Sequence, residues 1–334
     1  MTANRRFVLA RRPQGLPVVE DFRLETVDLP APGDGQVIVA NRFVSVDPGM
    51  RSRLSAAETY AAPLAIGAVV EGATVGQVVA SNNPKFMVGD WVASAFGWQE
   101  FGLSDGRGMR KLADDRVPPS TAIGVLGIPG ITAYFGLQEI GRVKEGETVL
   151  VSSAAGAVGS AAGQIAAIKG ASAVGIAGGP EKCRWLTDDL GFAAAIDRRA
   201  EPDIAAAVAR ACPDGVDVFF DNVGNALIDA MLPLMRRGGR IVVSGQVADY
   251  NAGAERPGIV NTQFFITSRL TMAGLVAFDY VRAYPQAWAE MTDWIVSGRL
   301  KYREDVVDGL EQLPGAFIGL FKGENFGRKL IRLP

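Results

Sequence analysis

Between Glu147 and Lys169 the chain passes from an apolar, β-branched burst, Thr148-Val149-Leu150-Val151, through a run of small residues and directly into helically spaced ones, Ala161 to Lys169. The pattern predicts strand, tight turn and helix with no room for anything between them. Small side chains there let the backbone come close to a pyrophosphate, and the first free amides of the helix point at it with the positive end of the helix dipole behind them. The usual dinucleotide fingerprint begins with glycine, whereas this one reads Ala154-x-Gly156-x-x-Gly159. Taken alone, the same spacing suits an ordinary small-residue turn in an alanine-rich chain. Its surroundings have to decide.

Those surroundings alternate regularly. Strands are predicted at Thr148 to Ser152, Ser172 to Ala177, Ala193 to Ile196, Gly215 to Phe220, Gly239 to Ser244 and Leu270 to Leu275. Helical stretches fall between them at Val158 to Lys169, Glu181 to Leu190, Pro202 to Ala211 and Ala226 to Arg236. Right-handed crossovers turn such an alternation into a doubly wound parallel sheet, and six strands match the Rossmann dinucleotide-binding order. The α/β class follows, and with it the cofactor reading of the small-residue loop.

The rest of the chain reads differently. From Phe7 to about Asp115 short β-rich runs (Val37 to Val46, Ala68 to Gly72, Val75 to Ala80, Asp90 to Ala95) are broken by Pro/Gly/Asp/Asn punctuation, which predicts an irregular, partly barrel-like β module. Ile123 to Leu137 has helical spacing after a Pro-Gly start and links the two parts. Ala287 to Val296 reads as an amphipathic helix ending at Gly298, its tryptophans in a core. The tail from Tyr302 to Leu333 reads as strand, helix and strand that return to the β module. The first domain is therefore expected to be discontinuous, 1–125 with 303–334, around a nucleotide-binding domain at 126–302, and the active site is expected in the cleft between them.

Composition excludes several kinds of chemistry. The 334 residues contain no histidine, so a Ser-His-Asp triad, a histidine-rich metal centre and an imidazole proton relay are all out of reach. Cys183 and Cys212 are too few for a zinc site, so no metal is expected, and they are poor disulfide candidates in the cytoplasmic location expected here. A net charge of −2 without a long basic block argues against nucleic acid, no apolar run is long enough to span a bilayer, and the arginine-bearing start lacks the apolar core of a signal peptide.

The choice of dinucleotide rests on the end of the second strand. An NAD site places an acidic residue there, about twenty residues past the glycines. Here Ala173 to Ala177 is followed by Gly178-Gly179-Pro180-Glu181-Lys182-Cys183-Arg184, with no carboxylate at the strand tip itself. The small residues leave room for a 2′-phosphate, and Lys182, with Arg198 or Arg199, is placed to neutralise it. The competing readings are that Lys182 and Arg184 are solvated helix charges, or that Glu181 favours NAD. NADPH is the expectation.

Five segments carry a resemblance: Ser45 to Arg51, Gly127 to Tyr134, Ala154 to Gly159, Phe220 to Gly224 and Lys322 to Arg328. Nearly end to end the chain resembles the zinc-independent medium-chain dehydrogenase/reductase superfamily. Within it the resemblance is to the leukotriene B4 12-hydroxydehydrogenase/prostaglandin reductase group and the bacterial NADPH-dependent curcumin reductases, whose versions of Met50 to Ser55 and Gly178 to Arg184 are similar. The resemblance implies a GroES-like β-barrel domain beside the Rossmann sheet. It implies that Gly156, Ala157, Val158 and Gly159 hold the pyrophosphate, that Lys182 and Arg198 meet the 2′-phosphate end, and that Asn222 and the segment from Gly245 to Tyr250 line ribose and phosphate. Leu275, Val276, Thr132 and Asn325 would flank the nicotinamide. Two departures stand out: Arg198 replaces a tyrosine of the prostaglandin-reductase branch, and Gly49 replaces a tyrosine common in the family, which widens the substrate pocket.

The implied reaction reduces a carbon–carbon double bond conjugated to a carbonyl. The cofactor supplies the hydride, and the protein orients the reactants and aims donors at the developing oxyanion. Without histidine those donors are a tyrosine hydroxyl, the cofactor's ribose hydroxyl or water. Tyr60 is the candidate because it resembles a tyrosine of the family's pocket, and a phenol with its ordinary pKa of about 10 stays protonated at neutral pH; lid or surface packing is the other reading. Arg51 and Arg53 are either contacts to a polar substrate end or exposed loop charges. Three functions stay open: reductase of bulky apolar enones or enals, quinone reductase, or an NADPH-binding protein without turnover. Strands near Leu270 are expected to extend the sheet across a two-fold axis into a homodimer.

Overall fold

The computed structural model describes residues 2–56, 62–253 and 255–334. These residues form two compact units. One comprises the chain up to Ile123 with Glu304–Asn325 and Lys329–Pro334, and the other comprises Gly124–Arg303 with Phe326–Arg328.

In the first unit β1 (Thr2–Leu9) pairs antiparallel with β2 (Phe22–Leu29). Next come β3 (Val37–Ser45), β4 (Thr74–Ser81), β5 (Trp91–Ser94), β6 (Phe101–Ser104) and β7 (Arg110–Lys111). Strand β3 is the hub, running antiparallel to β4, to β6 and to the last strand of the chain, Arg328–Arg332. Its burial explains why: Val37, Val39, Val44 and Ser45 are fully enclosed, so both faces are covered. The expected strand at Ala68 to Gly72 does not form; only an isolated bridge joins Val69 to Val8. The segment is still tied on both sides, Val70 N–H donating to Phe7 O at 2.9 Å and Trp98 N–H to Val70 O at 2.8 Å, but these bonds are single links and do not continue into a ladder. Trp98 is completely buried and packs edge-on against Phe7 and Phe317 and at a tilt against Phe22, an aromatic cluster that anchors this core.

The second unit carries the parallel sheet. Its strands are β8 (Thr148–Val151), β9 (Ser172–Ala177), β10 (Ala194–Asp197), β11 (Val216–Asp221), β12 (Met235–Val243) and β13 (Thr271–Gly274). They lie in the order β10-β9-β8-β11-β12-β13, and every neighbouring pair is parallel. That is the order expected of a doubly wound dinucleotide-binding sheet, with its switch point between β8 and β11. The β8 and β11 side chains Val149, Leu150, Val151, Val218, Phe219 and Phe220 are fully buried, as befits strands covered on both faces.

The expected helices fall close to their places, with one difference of substance, and the short helices at Met50–Arg53 and Gln263–Thr267 are additional to them. In chain order the helices are α1 (Met50–Arg53), α2 (Ile128–Phe135), α3 (Ala157–Ile168), α4 (Pro180–Arg184), α5 (Ile204–Ala211), α6 (Asn225–Met231), α7 (Gln263–Thr267), α8 (Tyr284–Val296) and α9 (Leu313–Lys322). The helix expected through Arg236 ends in a 3-10 turn at Leu234, because Met235 already pairs with Val216 in the sheet. Between that pair and Val218–Arg240 the register jumps, so residues 236–239 bulge out of the ladder. The tail is β14 (Glu304–Asp308), α9 and β15 (Arg328–Arg332), the last paired with β3. Among the described residues no helix is long and apolar enough to cross a membrane.

Candidate active site

The small-residue loop is built by tight backbone contacts. Ala154 N–H donates to Ile176 O on β9 at 2.9 Å, Gly156 N–H donates to Ser153 O at 2.9 Å, and Gly156 then caps α3. Ser153 adopts a φ of 48°, a left-handed conformation that costs a non-glycine residue on the order of 1–3 kcal/mol. This turn brings the Ser153 carbonyl against the first turn of α3. A β-carbon on Gly159 would lie 2.5 Å from Ser153 O and 2.8 Å from Ala154 Cα, so only glycine fits. The amides of Ala157, Val158 and Gly159 have no acceptor within the helix and stand at its positive end. That is the geometry an anion needs.

The alanine at the head of the fingerprint has a structural partner. A β-carbon on Gly175 in β9 would sit 2.9 Å from Ala154 Cβ and 2.7 Å from Leu186 Cδ1. The methyl group usually missing from the loop is instead missing from the neighbouring strand. A second strap comes from the far end of the sequence: Gly327 N–H donates to Ala155 O at 2.9 Å, and Gly156 and Gly327 form a parallel bridge. Phe326 beside it is held by Trp185 edge-on and by the Arg303 guanidinium 3.8 Å over its ring.

At the tip of β9 the structure gathers the expected cations. A β-carbon on Gly178 would be 3.2 Å from Arg199 Nε and 3.4 Å from Arg198 Nε, and both arginines are exposed. Lys182 follows one turn into α4. Asp197, a carboxylate that sequence reading passed over, ends β10 here, where its Oδ1 accepts from Gly179 N at 2.7 Å and Arg199 N at 2.9 Å. These backbone bonds, with Gly179 foremost, hold its carboxyl below the usual range. Asp197 is thus engaged in shaping the turn and in presenting the arginines.

At the switch point, Asn222 N–H donates to Ser152 Oγ at 2.8 Å and its side-chain Nδ2 to Ser152 O at 2.8 Å. The loop after β12 is stitched to the same place: Ser244 and Gly245 N–H donate to Asp221 O, Val247 N–H to Asn222 O and Ala248 N–H to Val223 O. A β-carbon on Gly245 would lie 3.7 Å from the Tyr250 hydroxyl, so Gly245, Tyr250 and Asn222 share one corner. Leu275 hangs from Val243 O and lies beside Gly136 and Phe220, Val276 follows it, and Thr132 is buried in α2. Asn325 belongs to the first unit, in a crevice with Val307, Gln312, Glu324 and Lys329. Tyr60 lies outside the described residues. Arg51 is not a substrate contact: it is buried, and its guanidinium donates to Gly15 O and Pro13 O. Arg53 pairs with Glu71 at 2.7 Å.

Residues 5–112 match a family model described as the N-terminal domain of oxidoreductase, and residues 157–297 match one described as zinc-binding dehydrogenase. The chain is 45% identical to the NADPH-dependent curcumin reductase of Escherichia coli (strain K12), over 99% of this chain and 97% of the relative. The chain belongs to the medium-chain dehydrogenase/reductase family. A 2-alkenal reductase (NADP(+)-dependent) of Nicotiana tabacum is 39% identical over 98% of this chain and 97% of its own. The crystal structure of CurA from Vibrio vulnificus in complex with NADPH superposes with a TM-score of 0.94 at 43% identity, covering 99% of both chains. For the zinc in the second model's description the chain offers no histidine, and among the described residues no group of three or more Cys, Asp or Glu could hold a metal ion. A catalytic zinc takes three protein ligands, mostly histidine and cysteine, whereas this chain has no histidine and its two cysteines sit apart, in α4 and just past α5.

Proposed function

We propose that this chain is an NADPH-dependent oxidoreductase that reduces the carbon–carbon double bond of α,β-unsaturated ketones and aldehydes. The observation that carries this reading is end-to-end similarity to NADPH-dependent reductases together with a phosphate loop and an arginine pair that fit that cofactor. When bound, NADPH supplies the hydride to the β-carbon of the substrate.

The chain's own residues hold and orient. The amides of Ala157, Val158 and Gly159 bind the pyrophosphate, and Lys182, Arg198 and Arg199 surround the 2′-phosphate. Asn222, Gly245 and Tyr250 line the ribose and phosphate, while Thr132, Leu275, Val276 and Asn325 flank the nicotinamide. Tyr60 donates to the substrate carbonyl oxygen as charge develops there, the position at which a preorganised donor accelerates the step most. Tyr60→Phe is therefore expected to cut turnover about 10²-fold with little change in NADPH affinity; turnover at the wild-type rate would retire the assignment. The function itself is tested by following NADPH oxidation with enones, enals and simple quinones. Turnover of quinones alone would replace this reading with a quinone reductase.

The same proposal gives a homodimer and a cytoplasmic enzyme. Strand β13 is the edge of its sheet, and exposed apolar side chains cluster in sequence around it: Met272 on the strand, Ile266 at 79% exposure and Phe278 at 59%. An unprotected edge of this kind is a site for pairing with a second copy across a two-fold axis. Light scattering is expected to report a dimer, and Met272→Lys to shift it to monomer; a wild-type monomer at micromolar concentration would count against the interface. Cys183 and Cys212, both free, suit a reducing compartment.

A further inference from the structure

The carboxylate of Asp221 ends β11 with no exposure at all, and none of the roles above uses it. Its Oδ1 accepts from Ser152 Oγ at 2.7 Å and from Val223 N at 3.2 Å, and its Oδ2 accepts from Gly224 N at 2.8 Å. Ser152, fully buried at the end of β8, has its hydroxyl proton committed to Asp221 and its lone pair to Asn222 N. The chain of bonds therefore runs carboxylate, hydroxyl, backbone amide. It joins the two strands that flank the switch point.

The consequence falls on the Asn222 side chain. Ser152 O can only accept, so the Asn222 atom 2.8 Å from it is the amide nitrogen. The carbonyl oxygen Oδ1 is then the other end of the amide, on a half-exposed residue, with no hydrogen-bond partner among the described residues. Asn222 thus presents an acceptor, the complement of a hydroxyl and not of a phosphate. The backbone just beyond is locked too. Gly224 has a φ of 137°, and a β-carbon there would collide with the Asp249 carboxylate, which caps Asn225 N at 3.0 Å. Burial, with the neighbouring Asp249 carboxylate adding to it, pushes the Asp221 carboxyl up to about 6. A buried carboxylate is costly unless its lone pairs are satisfied, and here three donors satisfy them.

We propose that Asp221 is a positioning residue of the cofactor site: through Ser152 Oγ and the amides of Val223 and Gly224 it fixes Asn222 with Oδ1 presented to a ribose hydroxyl of NADPH. This rests on the assignment of Asn222 to the cofactor ribose, and the test separates the two. NADPH dissociation constants are measured by fluorescence titration for wild type, Asn222→Ala, Asp221→Asn, Ser152→Ala and the double variant Asp221→Asn/Asn222→Ala, with thermal melts as the folding control. Each single variant is expected to weaken NADPH about tenfold, the worth of one good hydrogen bond. The KM for NADPH is expected to rise by more than kcat falls. The double variant is expected to be no weaker than Asn222→Ala alone, since Asp221 acts only through Asn222; a merely structural carboxylate would multiply its loss onto it. If Asn222→Ala weakens binding while Asp221→Asn and Ser152→Ala do not, or if the losses multiply, the positioning role is overturned and the ribose contact stands. If Asn222→Ala binds NADPH as wild type does, the ribose contact fails and the positioning role falls with it.

Discussion

Gly159→Ala is expected to weaken NADPH binding by at least about 100-fold and to lower the melting temperature by several degrees. The added β-carbon meets Ser153 O at 2.5 Å and Ala154 Cα at 2.8 Å, both backbone atoms that cannot swing aside. Relief requires α3 to move away from the loop or Ser153 to leave its left-handed conformation. Either movement turns the amides of Ala157 and Val158 from the position proposed for the pyrophosphate. Overpacking of this kind costs roughly 1–3 kcal/mol of stability, and the loss of two amide bonds to a charged group, each worth about 1.5–3 kcal/mol, removes about 3 kcal/mol or more from binding. A fluorescence titration with NADPH and a thermal melt measure the two losses. An alanine variant that binds within threefold of wild type would show that the pyrophosphate does not rest on this turn.

Removing both arginines at the β9 tip, Arg198→Ala/Arg199→Ala, is expected to raise the KM for NADPH roughly 100-fold and to leave the KM for NADH nearly unchanged. In the proposed site each guanidinium would make a charge-assisted contact to a doubly charged phosphate worth about 1.5 kcal/mol in an exposed setting, and two of them together give about two orders of magnitude. The effect is expected to shrink as salt rises, because both groups face solvent. Equal losses for NADPH and NADH would mean that the pair supports the turn and not the phosphate. The Asp197 bonds to Gly179 N and Arg199 N make that control informative, because they survive the double substitution.

The fold was legible where periodicity is strong and less so where single contacts decide. Strand and helix alternation after Thr148 placed all six strands of the parallel sheet to within a few residues, because buried strands of valine, isoleucine and phenylalanine admit few other readings. The start of β12 was missed because Met235 to Gly239 has no strand pattern; its place comes from pairing with Val216 and from a bulge. Ala68 to Gly72 has the composition of a strand, yet its bonds to Phe7, Leu9 and Trp98 amount to an isolated bridge and not a continuous ladder. In the candidate site, the positions of the loop glycines and of the basic residues near Gly178 were legible because they follow local order along the chain. The Ser152–Asp221 bond, the fit of Ala154 into Gly175 and the grip of Gly327 on Ala155 join positions that have no common pattern in the sequence. One trace was readable afterwards: an aspartate directly before Asn222 at a strand end, where a solvent-facing acid would be ordinary and a buried one is not.

The grip of Gly327 on the small-residue loop also sets a schedule for the newborn chain. Ala155 leaves the ribosome some 170 residues before Gly327, a delay of roughly 10–30 s at ordinary rates of synthesis. During that interval the parallel sheet can assemble from residues already made, but its loop lacks the last backbone bond that pins it. The loop is therefore completed only once residue 327 has been made and has folded back onto Ala155, whatever the order in which the rest of the sheet forms.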